Sequence, residues 1–163
     1  MEKWGFAGLN AMPIRRGMEF FYRLTGAGWS VARIADERGW AEIPASYLSD
    51  ALGDLLAALV RLGGGDSEAR FSWDSEPAEY RWILRRDGGE VAVRILWFYD
   101  IYKSQHDEAG KLVFETRRPL AELRRVIAAA AAQVLAELGE DGYRDHWVEH
   151  PFPTAALRAL AEE

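Results

Sequence analysis

His146-Trp147-Val148-Glu149-His150 sets two imidazoles and a carboxylate in the spacing H-x-x-E-H, the inverted zinc-peptidase pattern. Residues four apart share one face of a helix, so His146 and His150 would ligate zinc while Glu149 acts as base on a bound water. Pro151 follows at once and biases His150 away from helical backbone. A third ligand would have to come from Glu162, Glu163 or an upstream acid. The reading favours no metal and keeps His146, Glu149 and His150 only as a weak incidental site.

Other groups are less specific. His106 precedes Asp107, but sequence neighbours rarely face one another, and no nucleophile-elbow pattern surrounds the nearby Ser104. Asp74, Glu76 and Glu79 flank Pro77 and offer carboxylates for acid–base work without a second acid of known placement. Gly63-Gly64-Gly65 stands where a helix should end, so the local dipole repels phosphate, and no G-K-[ST] follows. The chain has no cysteine, which removes thiol nucleophiles, thiolate metal sites and disulfides. No catalytic residue and no cofactor are expected, and an enzyme is the less favoured class.

The 163 residues are 49% apolar and 28% charged, with a net charge of −6. That length suits one domain, expected over residues 1–163. Seven acids lie in residues 137–163 (Glu137, Glu140, Asp141, Asp145, Glu149, Glu162 and Glu163) against Arg144 and Arg158. Such a tail lacks the basic footprint of nucleic-acid binding, and a solvated helical face is its plainest use. The longest apolar run, residues 126–132, is far short of the roughly 20 residues a bilayer requires. No secretory signal is visible. No nucleic acid, no membrane and a cytoplasmic setting are expected.

These groups need a scaffold, and hydrophobic period supplies it. Residues 1–17 read as a loose arm. Met18, Phe20, Tyr22 and Leu24 then alternate with polar residues, the period of a strand. A second strand is expected from Trp29 and a short third one from Trp40 to Ile43, ending at Pro44. Leu48, Leu52, Leu55, Leu56, Leu59 and Leu62 recur at helical spacing behind a capping Ser46. Four more strands follow, with Asp87-Gly88-Gly89 as a hairpin turn. Pro119 opens a helix that Gly139 should close, and residues 139–163 make an acidic helical segment. The order β-β-β-α-β-β-β-β-α-α predicts an α+β fold: an antiparallel sheet of six to seven strands packed on one face by helices.

Five of the seven tryptophans (Trp29, Trp40, Trp73, Trp82 and Trp97) fall in these strands, on faces expected to meet the helices as core. The opposite face carries Arg81, Ile83, Arg85, Arg94, Leu96 and Phe98, with Phe21, Arg23, Ile34, Asp74, Glu115 and Arg117 on neighbouring strands. One reading is cross-strand ion pairs, with arginine stems lying over apolar surface. The other is a contact surface, since arginine and aromatic residues concentrate where proteins bind. The binding-face candidates are Phe21, Arg23, Arg81, Arg85, Arg94, Leu96, Phe98 and Arg117.

Residues 73–82 (Trp73-Asp74-Ser75-Glu76-Pro77-Ala78-Glu79-Tyr80-Arg81-Trp82) and 147–153 (Trp147-Val148-Glu149-His150-Pro151-Phe152-Pro153) resemble an uncharacterised bacterial protein family of about this length. That resemblance names no activity. In size, acidity and sheet-plus-helix layout the chain is similar to small toxin-immunity proteins, a likeness of texture without a motif. It implies a small cytoplasmic protein-binding module, immunity-like or adaptor-like, that meets another protein through the arginine and aromatic sheet face or through the acidic C-terminal segment. Two alternatives stand beside it: a homodimer using the same face, and a ligand binder or enzyme with a pocket between sheet and helices.

Overall fold

The computed structural model describes residues 17–103 and 105–162, so nearly all of the expected N-terminal arm lies outside the described residues. Three strands come first: β1 (Glu19–Gly26), β2 (Trp29–Asp36) and β3 (Gly39–Ser46), paired antiparallel in sequence order. Gly26, Ala27 and Gly28 all have positive φ, which lets the β1–β2 turn close. The third strand runs past Pro44 to Ser46. Proline is tolerated there because β3 is an edge strand, where a missing N–H leaves no ladder bond unmade.

Helix α1 (Ala51–Gly63) follows, with Leu52, Leu55, Leu56, Leu59 and Leu62 all buried. The second sheet is β4 (Glu68–Ser75), β5 (Ala78–Asp87), β6 (Glu90–Phe98) and β7 (Lys111–Pro119), again antiparallel in sequence order. The expected seven strands are thus present, but as two sheets instead of one. β3 lies near β4 and β7 without a shared ladder. Period two identifies strands and is silent on which of them pair across an intervening helix.

α2 (Leu120–Trp147) breaks at Gly139, whose backbone (φ 68°, ψ 173°) is open essentially to glycine alone. The glycine does end a helix as expected, and a new helical stretch starts directly after it. That change of direction buries Tyr143 and Trp147, with Phe152 meeting Tyr143 edge to face at 5.2 Å. α3 (Thr154–Ala161) closes the fold.

One core joins all these elements. Trp73 is its cross-link. Its indole N–H donates to the Ala51 carbonyl at 2.9 Å, its ring meets Tyr22 of the first sheet edge-on at 6.0 Å, and Trp82 lies 4.8 Å away. Burying such a ring contributes about 4–6 kcal/mol by area, as an upper bound.

Two tryptophans depart from expectation. Trp40 pairs with Ala35 on the outer side of the first sheet and is 44% exposed; Trp29 shares that side. Ile34, expected outside, is buried opposite Phe20. β2 turns its compact set (Ser30, Ala32, Ile34) inward because Tyr22 and Trp73 already fill the space between the sheets.

Candidate functional site: the outer sheet faces and the crevice between them

Strand register assigns every outer side chain. Across β4 to β7 the outer rows are Asp74, Glu79 and Phe98; then Ser72, Arg81, Leu96 and Leu112; then Arg70, Ile83, Arg94 and Glu115; then Glu68, Arg85, Ala92 and Arg117. Phe21 and Arg23 belong to the other sheet, opposite Arg33 and Val31. The candidate face is therefore split into two patches that share no ladder.

Most arginines of the larger patch are held internally. Arg81 donates through Nε to Glu79 at 3.1 Å and through Nη1 to Asp107 at 3.0 Å and to the Gln105 carbonyl at 2.8 Å. Arg85 pairs with Glu68 at 2.8 Å; Arg117 pairs with Glu90 at 2.5 Å and Asp87 at 3.1 Å. The paired guanidiniums hold the carboxyls of Glu68 and Asp107 below the usual range. Among the described residues Arg94 has no carboxylate within ion-pair distance, although Glu115 stands opposite it in register. Leu96 and Phe98 are not available at the surface: they are 1% and 2% exposed and pack with Ile83 in a small cluster of their own.

Exposed apolar surface appears instead along β7. Ile95 pairs with Phe114 and Leu96 with Leu112, which leaves Val113 as an extra residue on β7. Leu112 and Phe114 are two apart and would share a face in a regular strand. The bulge sends Phe114 into the core and Leu112 out, where it is 43% exposed. Leu112, Val113, Phe114 and Glu115 form one wall of a shallow depression of about 320 Å³; Asp36, Arg38, Gly39 and Trp40 form the other. The guanidinium of Arg33 lies 4.3 Å over the Trp40 ring and fixes its plane. This crevice joins the outer surfaces of the two sheets. Sequence reading missed it because a one-residue bulge leaves no mark on composition; the Leu112-Val113-Phe114 triplet, apolar at three successive positions, was the one local signal.

The chemistry-bearing groups are placed as follows. α2 ends at Trp147, and Val148 (φ 82°) leaves the helix, so Glu149 and His150 do not share a helical face with His146. The Nδ1 of His146 lies 2.7 Å from the Gly142 carbonyl, whereas His150 acts electrostatically on Asp50 and Asp54. Among the described residues no three His, Asp or Glu side chains converge as metal ligands. Glu79 accepts from Ser72 Oγ at 2.5 Å and from Arg81, and Asp74, beside it in register, is pushed up by burial and then by Glu79 and Glu76. His106 is exposed. A groove of about 690 Å³ runs between residues 18–23, in and just before β1, and the alanine-rich side of α2, in the place expected of a sheet–helix pocket. Among the described residues no helix is long and apolar enough to cross a membrane.

No protein-family model matches the chain, and no curated protein matches it. Among solved structures, a chain of the CdiA-CT/CdiI toxin and immunity complex from Enterobacter cloacae superposes with a TM-score of 0.47 at 10% identity. The overlap covers 71% of this chain and 99% of that one.

Proposed function

We propose that this chain is a small protein-binding module, immunity-like or adaptor-like, whose contact surface is the crevice between the two sheets and the outer rows beside it. The observation that carries this reading is the pair of half-exposed apolar side chains, Trp40 and Leu112, on opposite walls of one depression. Tryptophan and arginine are the residues most often found to dominate binding energy, and here they adjoin one another. Arg38 and Glu115 rim the depression, and Arg94, opposite Glu115 in register, extends the surface along the sheet. A shallow, half-apolar surface with a charged rim suits a protein segment better than a small molecule, which is usually enclosed over most of its area.

Affinity capture from the native host with the wild-type chain and with a Trp40→Ala/Leu112→Ser variant, followed by calorimetry with the captured protein, tests the reading. The variant should bind about a hundredfold more weakly at wild-type melting temperature. Equal binding by the two chains removes the proposal. Self-association by light scattering, lost in the same variant, would assign the surface to a second copy.

A further inference from the structure

Arg81, on the outer face of the four-stranded sheet, is well enclosed, its side chain 15% exposed. Its guanidinium lies 4.1 Å over the ring of Phe98, and beneath it Ile83, Leu96 and Phe98 form an apolar cluster separate from the main core. Asp107 bridges this arginine and Arg70, at 3.0 and 2.6 Å. The cover over the cluster is residues 105–110, which contain a single 3-10 turn at Asp107–Ala109. Gly110 rests so close to the cluster that a Cβ there would sit 2.6 Å from Phe98 Cζ.

The attachments of this cover are few. Its own backbone bonds, Ala109 N–H to His106 and Gly110 N–H to Asp107, stay within the segment. Among the described residues the polar ties from it to the sheet run through two side chains, Arg70 and Arg81, to the Asp107 carboxylate and the Gln105 carbonyl. A two-arginine fork above an apolar floor is the arrangement that receives an anion attached to an apolar body. Here the chain supplies the anions itself: Asp107 spans both arginines, while Glu68 holds Arg70 at 3.3 Å and Glu79 holds Arg81 at 3.1 Å from the side.

We infer that the Arg70–Arg81 fork and the Ile83–Leu96–Phe98 floor form a covered docking site for an apolar group bearing an anion, and that Asp107 occupies the anion position until such a ligand displaces it. Exchange of one carboxylate for another leaves the charge balance of the fork unchanged, so opening exposes the floor without stranding a cation. Leu112 of the crevice stands opposite Leu96 in register, whereas Trp40 belongs to the other sheet and is no part of this fork or floor, so a change at Trp40 tells the two sites apart.

Anilinonaphthalene sulfonate, an aryl group carrying a sulfonate, is the probe. Asp107→Asn keeps the shape of the side chain and removes its charge; Asp107→Ser is run beside it in case the amide is not tolerated. Either variant should bind the probe about tenfold more tightly than wild type, at unchanged near-ultraviolet circular dichroism. Amide exchange at Ala109 and Gly110 should rise in parallel. Adding Arg81→Gln should return binding to the wild-type level, while Trp40→Ala should leave it unaltered. Wild-type affinity in both Asp107 variants, or a gain that survives Arg81→Gln, overturns the inference.

Discussion

Asp50 shows how one side chain can oppose the fold it helps to shape. It stands at the N-cap of α1, and its carboxylate lies over Gly53, where a Cβ would come within 2.2 Å of it. Burial pushes its carboxyl above the usual range, with His150 and the Gly53 amide pulling it partly back. A folded-state value above the unfolded one means that the native chain holds the proton more tightly. Stability therefore falls as pH rises from the unfolded value, about 4, through the folded one, and stays lower beyond it. The Asp50 side chain makes no capping hydrogen bond to the first turn, so Asp50→Asn keeps its shape and removes the charge. Its melting temperature should exceed that of wild type at pH 7, with the gap closing below about pH 4; a gap that is constant with pH would show that the charge is not the cause.

At the scale of elements, strand period, the helical leucines and the turn glycines made all seven strands and the three helical regions legible. Each of those signals is local: alternation, an i, i+3, i+4 recurrence, a positive φ. What stayed hidden depends on long-range packing. That β3 comes to lie beside β4 without pairing is decided by how α1 docks, and the outward turn of Leu112 by one bulge. Gly139 lies between these cases, since its identity announced a helix end but not that helix would resume. Gly139→Ala should cost about 1–3 kcal/mol, because the backbone there is closed to a side chain even though the space beside it is open. Urea denaturation gives the loss, and a weakened near-ultraviolet signal from Tyr143 and Trp147 would place it in the second half of α2. A change under about 0.5 kcal/mol would mean the kink relaxes freely.

For the molecule as a whole, the candidate surface was only partly legible. Residue types led to Arg81, Arg85, Arg94 and Arg117 on one face, and register agrees that these four share it. Composition did not reveal that Asp107, far along the chain, neutralises Arg81, nor that Leu96 and Phe98 are roofed over. Phe21 and Arg23 joined the set only because a single sheet was assumed. Trp40, counted as core, became part of the proposed surface.

The order of the two sheets also bears on how the chain reaches its fold. Every ladder joins strands adjacent in sequence, β1 to β2 to β3 and β4 through β7, so each pairing closes only a short loop. Sheet proteins are usually slow because distant segments must meet before any bond rewards them. Here the hairpins can assemble first, and the non-local steps are the docking of the two meanders through Trp73 and the packing of α2 along β1 and over the β1–β2 turn. Pulsed hydrogen exchange during refolding should protect β5 and β6 amides before that of Gly28, whose N–H waits for the His146 carbonyl at 2.9 Å. Simultaneous protection would mean that the meanders have no separate existence and that the chain condenses in a single step.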